Sequence, residues 1–315
     1  MDDVVRAERL SVKEPVLKQP EGMSFTIRID AYSKGRTSLN KHRAIALCLG
    51  LMSIAVGAAC DNNGGQVGNA TGAAGIDKFR AAGPERVAQM GVGACTRFLP
   101  PQGATDSRPG MGWANGTGAA PGTYSGILTR VASYGTLVSA ANTTQSGTGQ
   151  ATSTCITQLD QARTDSNGRF ATSGHSQGGS GSINAARLNN RVVVTCPVQL
   201  DGTFTAQSSP ADLRGTRTGP AVILCGGADN LAPCTRAANG DGKFNGATVP
   251  VVRISVIGAP HVGAGSPTGN GGLYSALVTA CVEAALGGDA QASAALGPGG
   301  VANNNVVNRI ARRNF

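Results

Sequence analysis

Downstream of about residue 130 the chain alternates short apolar runs with stretches of helical spacing. GTLVSAAN (135–142), GRFATS (168–173), RVVVTCPVQL (191–200), PAVILCGG (220–227) and PVVRISVIG (250–258) are runs of strand length, most of them rich in valine and isoleucine. Between them, STCITQLDQAR places Cys155, Ile156, Leu159 and Ala162 on one helical face, and SGSINAARLNN reads as a second helix. Strands this continuously apolar are covered on both faces, so the alternation predicts an α/β fold: a mostly parallel central sheet with helices on either side. A last helix is expected in GGLYSALVTACVEAALGG, where Leu273, Leu277, Cys281 and Ala284 recur at helical spacing between glycines. Residues 287–315 lose this periodicity and read as peripheral. No internal repeat is visible.

The front of the chain carries a different pattern. Lys41, His42 and Arg43 precede the apolar run AIALCLGLMSIAVGAAC, residues 44–60. A basic start, an apolar run and small residues at its end make a secretory signal, and the run is shorter than the about 20 residues a membrane span needs. Residues 41–60 are therefore expected to be a signal peptide. Its end, GAAC, is a partial lipoprotein box with Gly57 in place of the usual leucine, which leaves lipid attachment at Cys60 as an alternative. Residues 1–40 are polar, carry mixed charge and precede a segment that normally begins a protein. They read as a non-native or mis-assigned extension, with a start at Met23 or Met52. The stretch 61–76 (DNNGGQVGNATGAAGI) has nothing to bury and reads as a flexible linker. Residues 77–315 remain for a single domain of ordinary size, secreted or periplasmic and without a transmembrane segment.

Charge and cysteines narrow the classes further. The 27 Lys and Arg residues against 18 Asp and Glu give a net charge of +9, but the basic residues are scattered and aromatics make up only 4%. Nucleic-acid binding wants a basic stripe or stacking platforms, and neither is present, so the charge bears on solubility and adsorption. Cys95, Cys155, Cys196, Cys225, Cys234 and Cys281 lie beyond the signal. An even set in an exported chain points to disulfides without fixing their connectivity. The one local pairing expected is Cys225 with Cys234. With no C-x-x-C pair and only His175 and His261 beyond the signal, a zinc site is disfavoured; no metal and no cofactor are expected.

Within this frame one segment carries chemistry. GHSQGG, Gly174 to Gly179, has the spacing G-x-S-x-G between an expected strand and an expected helix. That context makes a nucleophile elbow, in which a serine sits on a sharp turn and the flanking glycines admit close backbone approach. Ser176 would need a base, oriented in turn by a carboxylate. His175 precedes the serine in the tight turn, so its side chain should point away and line or pack the pocket. The base is therefore expected to be His261, in the loop GAPHVGAG after the last strand. Two carboxylates follow strands, Asp201 in QLDG and Asp229 in CGGADNLAPC; Asp229 is favoured because the order Ser, Asp, His then matches that of α/β-hydrolases, with Asp201 a cap or a wall of the cleft. The oxyanion would take one amide from Gln177, after the nucleophile, and one from the turn WANGTG, with Thr117 the chosen donor. The run before that turn, RPGMGW, is short and weakly apolar for the strand it must be.

These residues carry a resemblance. NGTG followed by TYSGILTRVASYGTLVSAANT, then GHSQGG, then ADNLAP and the histidine loop make the chain from about Cys95 to Leu286 similar to the bacterial cutinase and polyester hydrolase branch of the α/β-hydrolases, relatives of dienelactone hydrolases and chlorophyllases. The resemblance implies an α/β-hydrolase fold and a serine hydrolase. Gln177 stands where many such cutinases have methionine. Thr117 stands where their oxyanion turn has an aromatic, and Asp201 and Gly202 stand where a tryptophan is usual, so the side walls that hold an aromatic polyester are missing. The expected activity is an exported carboxylic-ester hydrolase, monomeric, acting on an ester or polyester through Ser176, His261 and Asp229. Two other readings stay open: a different acyl transfer on the same groups, such as peptidase or transferase action, and a non-catalytic exported binding protein.

Overall fold

In a computed structural model, residues 74–103, 107–203, 213–214, 219–297, 300–301 and 307–313 are described. The extension 1–40, the signal 41–60 with Cys60, and most of the linker lie outside them. The strands are β1 (Ala88–Val92), β2 (Cys95–Leu99), β3 (Arg108–Ala114), β4 (Leu137–Ala141), β5 (Ser166–His175), β6 (Val192–Val198), β7 (Ala221–Gly226), β8 (Val251–Val256) and β9 (Val307–Arg313). The helices are α1 (Ala74–Lys78), α2 (Ser125–Ser133), α3 (Gln150–Ala162), α4 (Gln177–Leu188), α5 (Gly240–Gly246), α6 (Gly269–Val282) and α7 (Ala290–Ala295).

Among the described residues, nine strands form one sheet in the order β1-β2-β4-β3-β5-β6-β7-β8-β9. The strands from β4 through β8 in that order run parallel, with antiparallel partners at the margins. Side chains alternate across the pleat. Val222 and Leu224 of β7 join Val252 and Ile254 of β8 in a core with α2 and α6, whereas Ala221 and Ile223 pack on the opposite face with Ile183 of α4. Phe170 of β5 meets Ile156 and Leu159 of α3 on that second face. The α/β reading of the sequence thus describes the fold.

β3 lies between β4 and β5, where the chain order reverses. Such a reversal opens a crevice at the carboxyl ends of the strands. β3 looks weakly apolar because two of its positions must be glycine. A Cβ at Gly110 would enter the Phe170 ring, and one at Gly112 would lie 2.6 Å from the Ile156 Cδ1 methyl. Its other face carries Met111 and Trp113, both fully buried.

Three expectations need correction. The linker was drawn to residue 76, but Ala74–Lys78 is a helix whose Ile76 is buried in the main core. Residues 287–315 are not peripheral: Ala292, Ala295 and Leu296 are core residues, and β9 pairs with β8. Small residues such as the two alanines leave no periodic signature. Ala162 lies exposed at the end of α3 rather than on its buried face. The β1–β2 hairpin, with exposed residues along β1, has no apolar run to mark it.

Three disulfides tie the layers, Cys95–Cys155 between β2 and α3, Cys196–Cys281 between β6 and α6, and Cys225–Cys234 across the loop after β7. Among the described residues no helix is long and apolar enough to cross a membrane.

Candidate active site

β5 ends at His175 and α4 begins at Gln177, so Ser176 alone makes the turn between them. Its backbone has φ 58° and ψ −125°, a conformation an L-residue adopts only when its surroundings hold it there. The restraints are visible. The Ser176 amide donates to the Val198 carbonyl at 3.1 Å, and its carbonyl accepts from Gly179 at 2.8 Å and Asp201 at 3.0 Å. The glycines of the motif follow from crowding: a Cβ on Gly178 would enter the Ala114 and Asn115 carbonyls, and one on Gly179 would sit 2.9 Å from the Leu200 Cα.

The loop after β8 brings His261 over this turn, and the loop after β7 brings Asp229 behind it. Ser176 Oγ lies 2.8 Å from His261 Nε2, and His261 Nδ1 lies 2.8 Å from Asp229 Oδ2. The other Asp229 oxygen accepts from the amides of Leu231 at 3.0 Å and Ala232 at 2.7 Å. A carboxylate can only accept, so Nδ1 carries the imidazole proton and Nε2 is left to accept the serine hydroxyl. Burial would raise the Asp229 pKa, but the hydrogen bond from His261 and the two amides outweigh it and hold the group below its ordinary value. All three side chains belong to buried residues.

The remaining expected site residues fall around this line. Thr117 is exposed in the turn after β3 and lines the same cleft. Gln177 is the first residue of α4, where backbone amides have no acceptor within the helix; its side-chain amide donates to Gln145 Oε1 at 3.2 Å. Asp201 also lines the cleft, but its Oδ1 is taken by the amide and hydroxyl of Thr203 at 2.9 and 2.7 Å, and it does not meet His261. His175 turns from the serine hydroxyl and bonds Tyr124, Gln199 and the His261 carbonyl. Tyr124 and Gln199 are the participants the sequence did not single out: they fall within the quoted stretches TYSG and QLDG, but no spacing there marks either of them as a partner of His175.

The cleft has a volume of about 370 Å³. None of its described lining residues is a lysine or arginine, and Leu231 and Val262 stand exposed at its rim. The one grouping of possible metal ligands among the described residues is Cys225, Cys234 and Asp241. Both of its sulfurs are joined in a disulfide, and Asp241 is paired with Arg253 at 2.7 Å. No protein-family model matches the chain, and no curated protein matches it.

Proposed function

We propose that this chain is an exported serine carboxylic-ester hydrolase, of the kind its cutinase-like motifs resemble. The observation that carries the proposal is the hydrogen-bonded line Ser176–His261–Asp229, with the serine raised on a strained turn. A serine hydroxyl is a poor nucleophile until a base removes its proton, and that base must keep one tautomer to do so.

Ser176 Oγ attacks the ester carbonyl as its proton passes to His261 Nε2. Asp229 holds Nδ1–H and stabilises the imidazolium that forms. The oxyanion is received by the main-chain amides of Thr117 and Gln177, the second at the positive end of α4. When the intermediate collapses, the C–O bond to the alcohol breaks and the alcohol leaves with the proton from His261. Water, deprotonated by the same nitrogen, attacks the acyl-enzyme and releases the acid. The sequence uses no cofactor.

The cleft supports neutral ester substrates: it offers small side chains, an apolar rim and no cation to hold a carboxylate or phosphate among its described lining. Neither Thr117 nor Asp201 supplies an aromatic wall, so aliphatic esters are the expected class. The three disulfides fit an oxidising compartment, which supports export of the protein, secreted or periplasmic, with a lipid at Cys60 as the alternative form.

The test is hydrolysis of p-nitrophenyl acetate and butyrate beside a peptide substrate, with fluorophosphonate labelling mapped by peptide analysis. Ester turnover and a label on Ser176, both lost in Ser176→Ala, are expected. Peptide cleavage in place of ester hydrolysis, or a label on another serine, would reject the reading.

A further inference from the structure

His175 is buried, lies outside the Ser176–His261–Asp229 line, and has both ring nitrogens occupied. The direction of each of its hydrogen bonds is fixed from outside. Gln199 Nε2 donates to the Pro260 carbonyl at 2.6 Å, so Gln199 Oε1 must be an acceptor. His175 Nε2 faces that Oε1 at 3.2 Å and the His261 carbonyl at 2.9 Å. Two acceptors require a donor between them, so Nε2 carries the proton. Nδ1 is then unprotonated, and accepts a hydrogen bond from the Tyr124 hydroxyl at 3.0 Å. The Tyr124 oxygen accepts in turn from the Gly116 amide at 3.1 Å.

One directed chain therefore runs from the Gly116 N–H through the Tyr124 O–H and the His175 ring to the main chain of His261. Gly116 immediately precedes Thr117, and its carbonyl accepts from Ala119 at 3.1 Å, so the Gly116–Thr117 segment is held from both sides. Gln199 supports the other end at a cost: its φ of 44° is left-handed, as among the described non-glycine residues only that of Ser176 also is. The rings themselves form a column behind His261, with centroids 5.0 Å apart for Trp113–Tyr124, 5.6 Å for Tyr124–His175 and 4.8 Å for His175–His261.

We infer that His175 is a positioning residue whose neutral Nε2–H tautomer, set by Tyr124 and Gln199, couples the oxyanion turn at Gly116–Thr117 to the main chain of His261. The inference rests on the ester-hydrolase reading of the site. Neutrality matters as much as geometry. His261 must gain a proton in the reaction, and a second cation stacked on it would oppose that gain.

The titratable groups facing His175 are Tyr124 from the turn before α2, His261 from the loop after β8, and Asp229 from the loop after β7. Burial first, and then the proximity of His261, lower the His175 pKa to about 4, against weaker support for the cation from Asp229. A proton added at Nδ1 would meet the Tyr124 hydroxyl head on. That hydroxyl would have to turn its own proton away while still accepting from Gly116.

The tautomer is read directly by long-range proton–nitrogen spectra of the intact protein labelled with ¹⁵N-histidine. His175 is expected as Nε2–H, unchanged between pH 5 and 8, and Tyr124→Phe is expected to shift the Nδ1 resonance by removing the hydrogen bond it accepts. In parallel, Tyr124→Phe and His175→Phe should lower kcat for p-nitrophenyl acetate by at least about ten-fold with KM changed less than about two-fold. His175→Gln, which keeps one donor and one acceptor, should recover part of the loss. A His175 found as Nδ1–H, or titrating in the ordinary histidine range, would overturn the inference; so would a folded His175→Phe with wild-type kcat. If His175→Phe did not fold, the spectra and Tyr124→Phe would still decide. Absence of ester turnover in the wild type would reject the hydrolase reading, and the spectra would then judge the tautomer on its own.

Discussion

Ser176 Oγ and His261 Nε2 stand 2.8 Å apart although 85 positions separate them along the chain. The contact exists because β5 and β8 run parallel in one sheet and end on the same side, so the turn after one and the loop after the other share a rim. Asp229, from the loop after the intervening β7, completes the line.

Replacing Asp229 by asparagine should preserve the fold and lower kcat by about a thousand- to ten-thousand-fold. The asparagine can offer its amide N–H to Nδ1, which stabilises the wrong tautomer and removes the charge that supports the imidazolium. Because the Asp229 pKa is held below its ordinary value, that carboxylate should stay ionised across pH 5–8 and add no ionisation of its own to the kcat/KM profile there. Steady-state kinetics across pH 5–8 check both points, and a limb with two ionisations would show that the carboxylate also titrates there.

The Cys225–Cys234 bridge closes the loop that carries Asp229. Of the six disulfide cysteines only Cys234 is not fully buried, so a reductant should reach this bridge first. Closing a loop of this size is worth roughly 2–3 kcal/mol in a chain-entropy account. Titration with dithiothreitol should therefore lower kcat several-fold before near-ultraviolet circular dichroism reports loss of the core. Loss of both signals together would mean that the bridge does not act locally on Asp229.

Gly178→Ala should destabilise the protein by about 1–3 kcal/mol or prevent folding, since the new methyl would press on two backbone carbonyls of the β3 turn that cannot move aside. Gly91→Ala is its counterpart: nothing lies within 4 Å of a Cβ there and its φ is unstrained, so it should be neutral or stabilising by a few tenths to about 1 kcal/mol. Urea melts of the two variants measure the contrast.

Glu283, in a π-helical turn after α6, is held partly buried with one oxygen accepting from Thr136 at 3.3 Å. Burial is the main cause that pushes its pKa from 4.5 up to about 7. The folded chain then binds a proton more tightly than the unfolded one, so this group's contribution is most favourable below about pH 4.5. It is lost as pH rises toward 7, by at most about 3 kcal/mol. Glu283→Gln should flatten that slope and raise stability at pH 8 relative to the wild type. Unfolding free energies at pH 5 and pH 8 test the sign.

Much of the fold was legible along the chain, because strands buried on both faces must be written as unbroken apolar runs: β6, β7 and β8 announce themselves this way. β3 did not, since its glycines make room for Phe170 and Ile156, neighbours that belong to other elements. The last helix and strand were missed for a similar reason. Alanines such as Ala292 and Ala295 reach the core by close approach rather than by bulk, and a margin strand takes its pairing from β8.

By itself the sequence determined the serine on its turn, because G-x-S-x-G states locally the steric conditions for that backbone, and it narrowed the candidate base and carboxylate to a few residues. Only the tertiary structure decided that Asp229 rather than Asp201 stands behind His261, and that His175 joins Tyr124 to the His261 main chain. Such partners come from different strand ends, and their pairing depends on hydrogen-bond distances of about 3 Å that no spacing along a chain encodes.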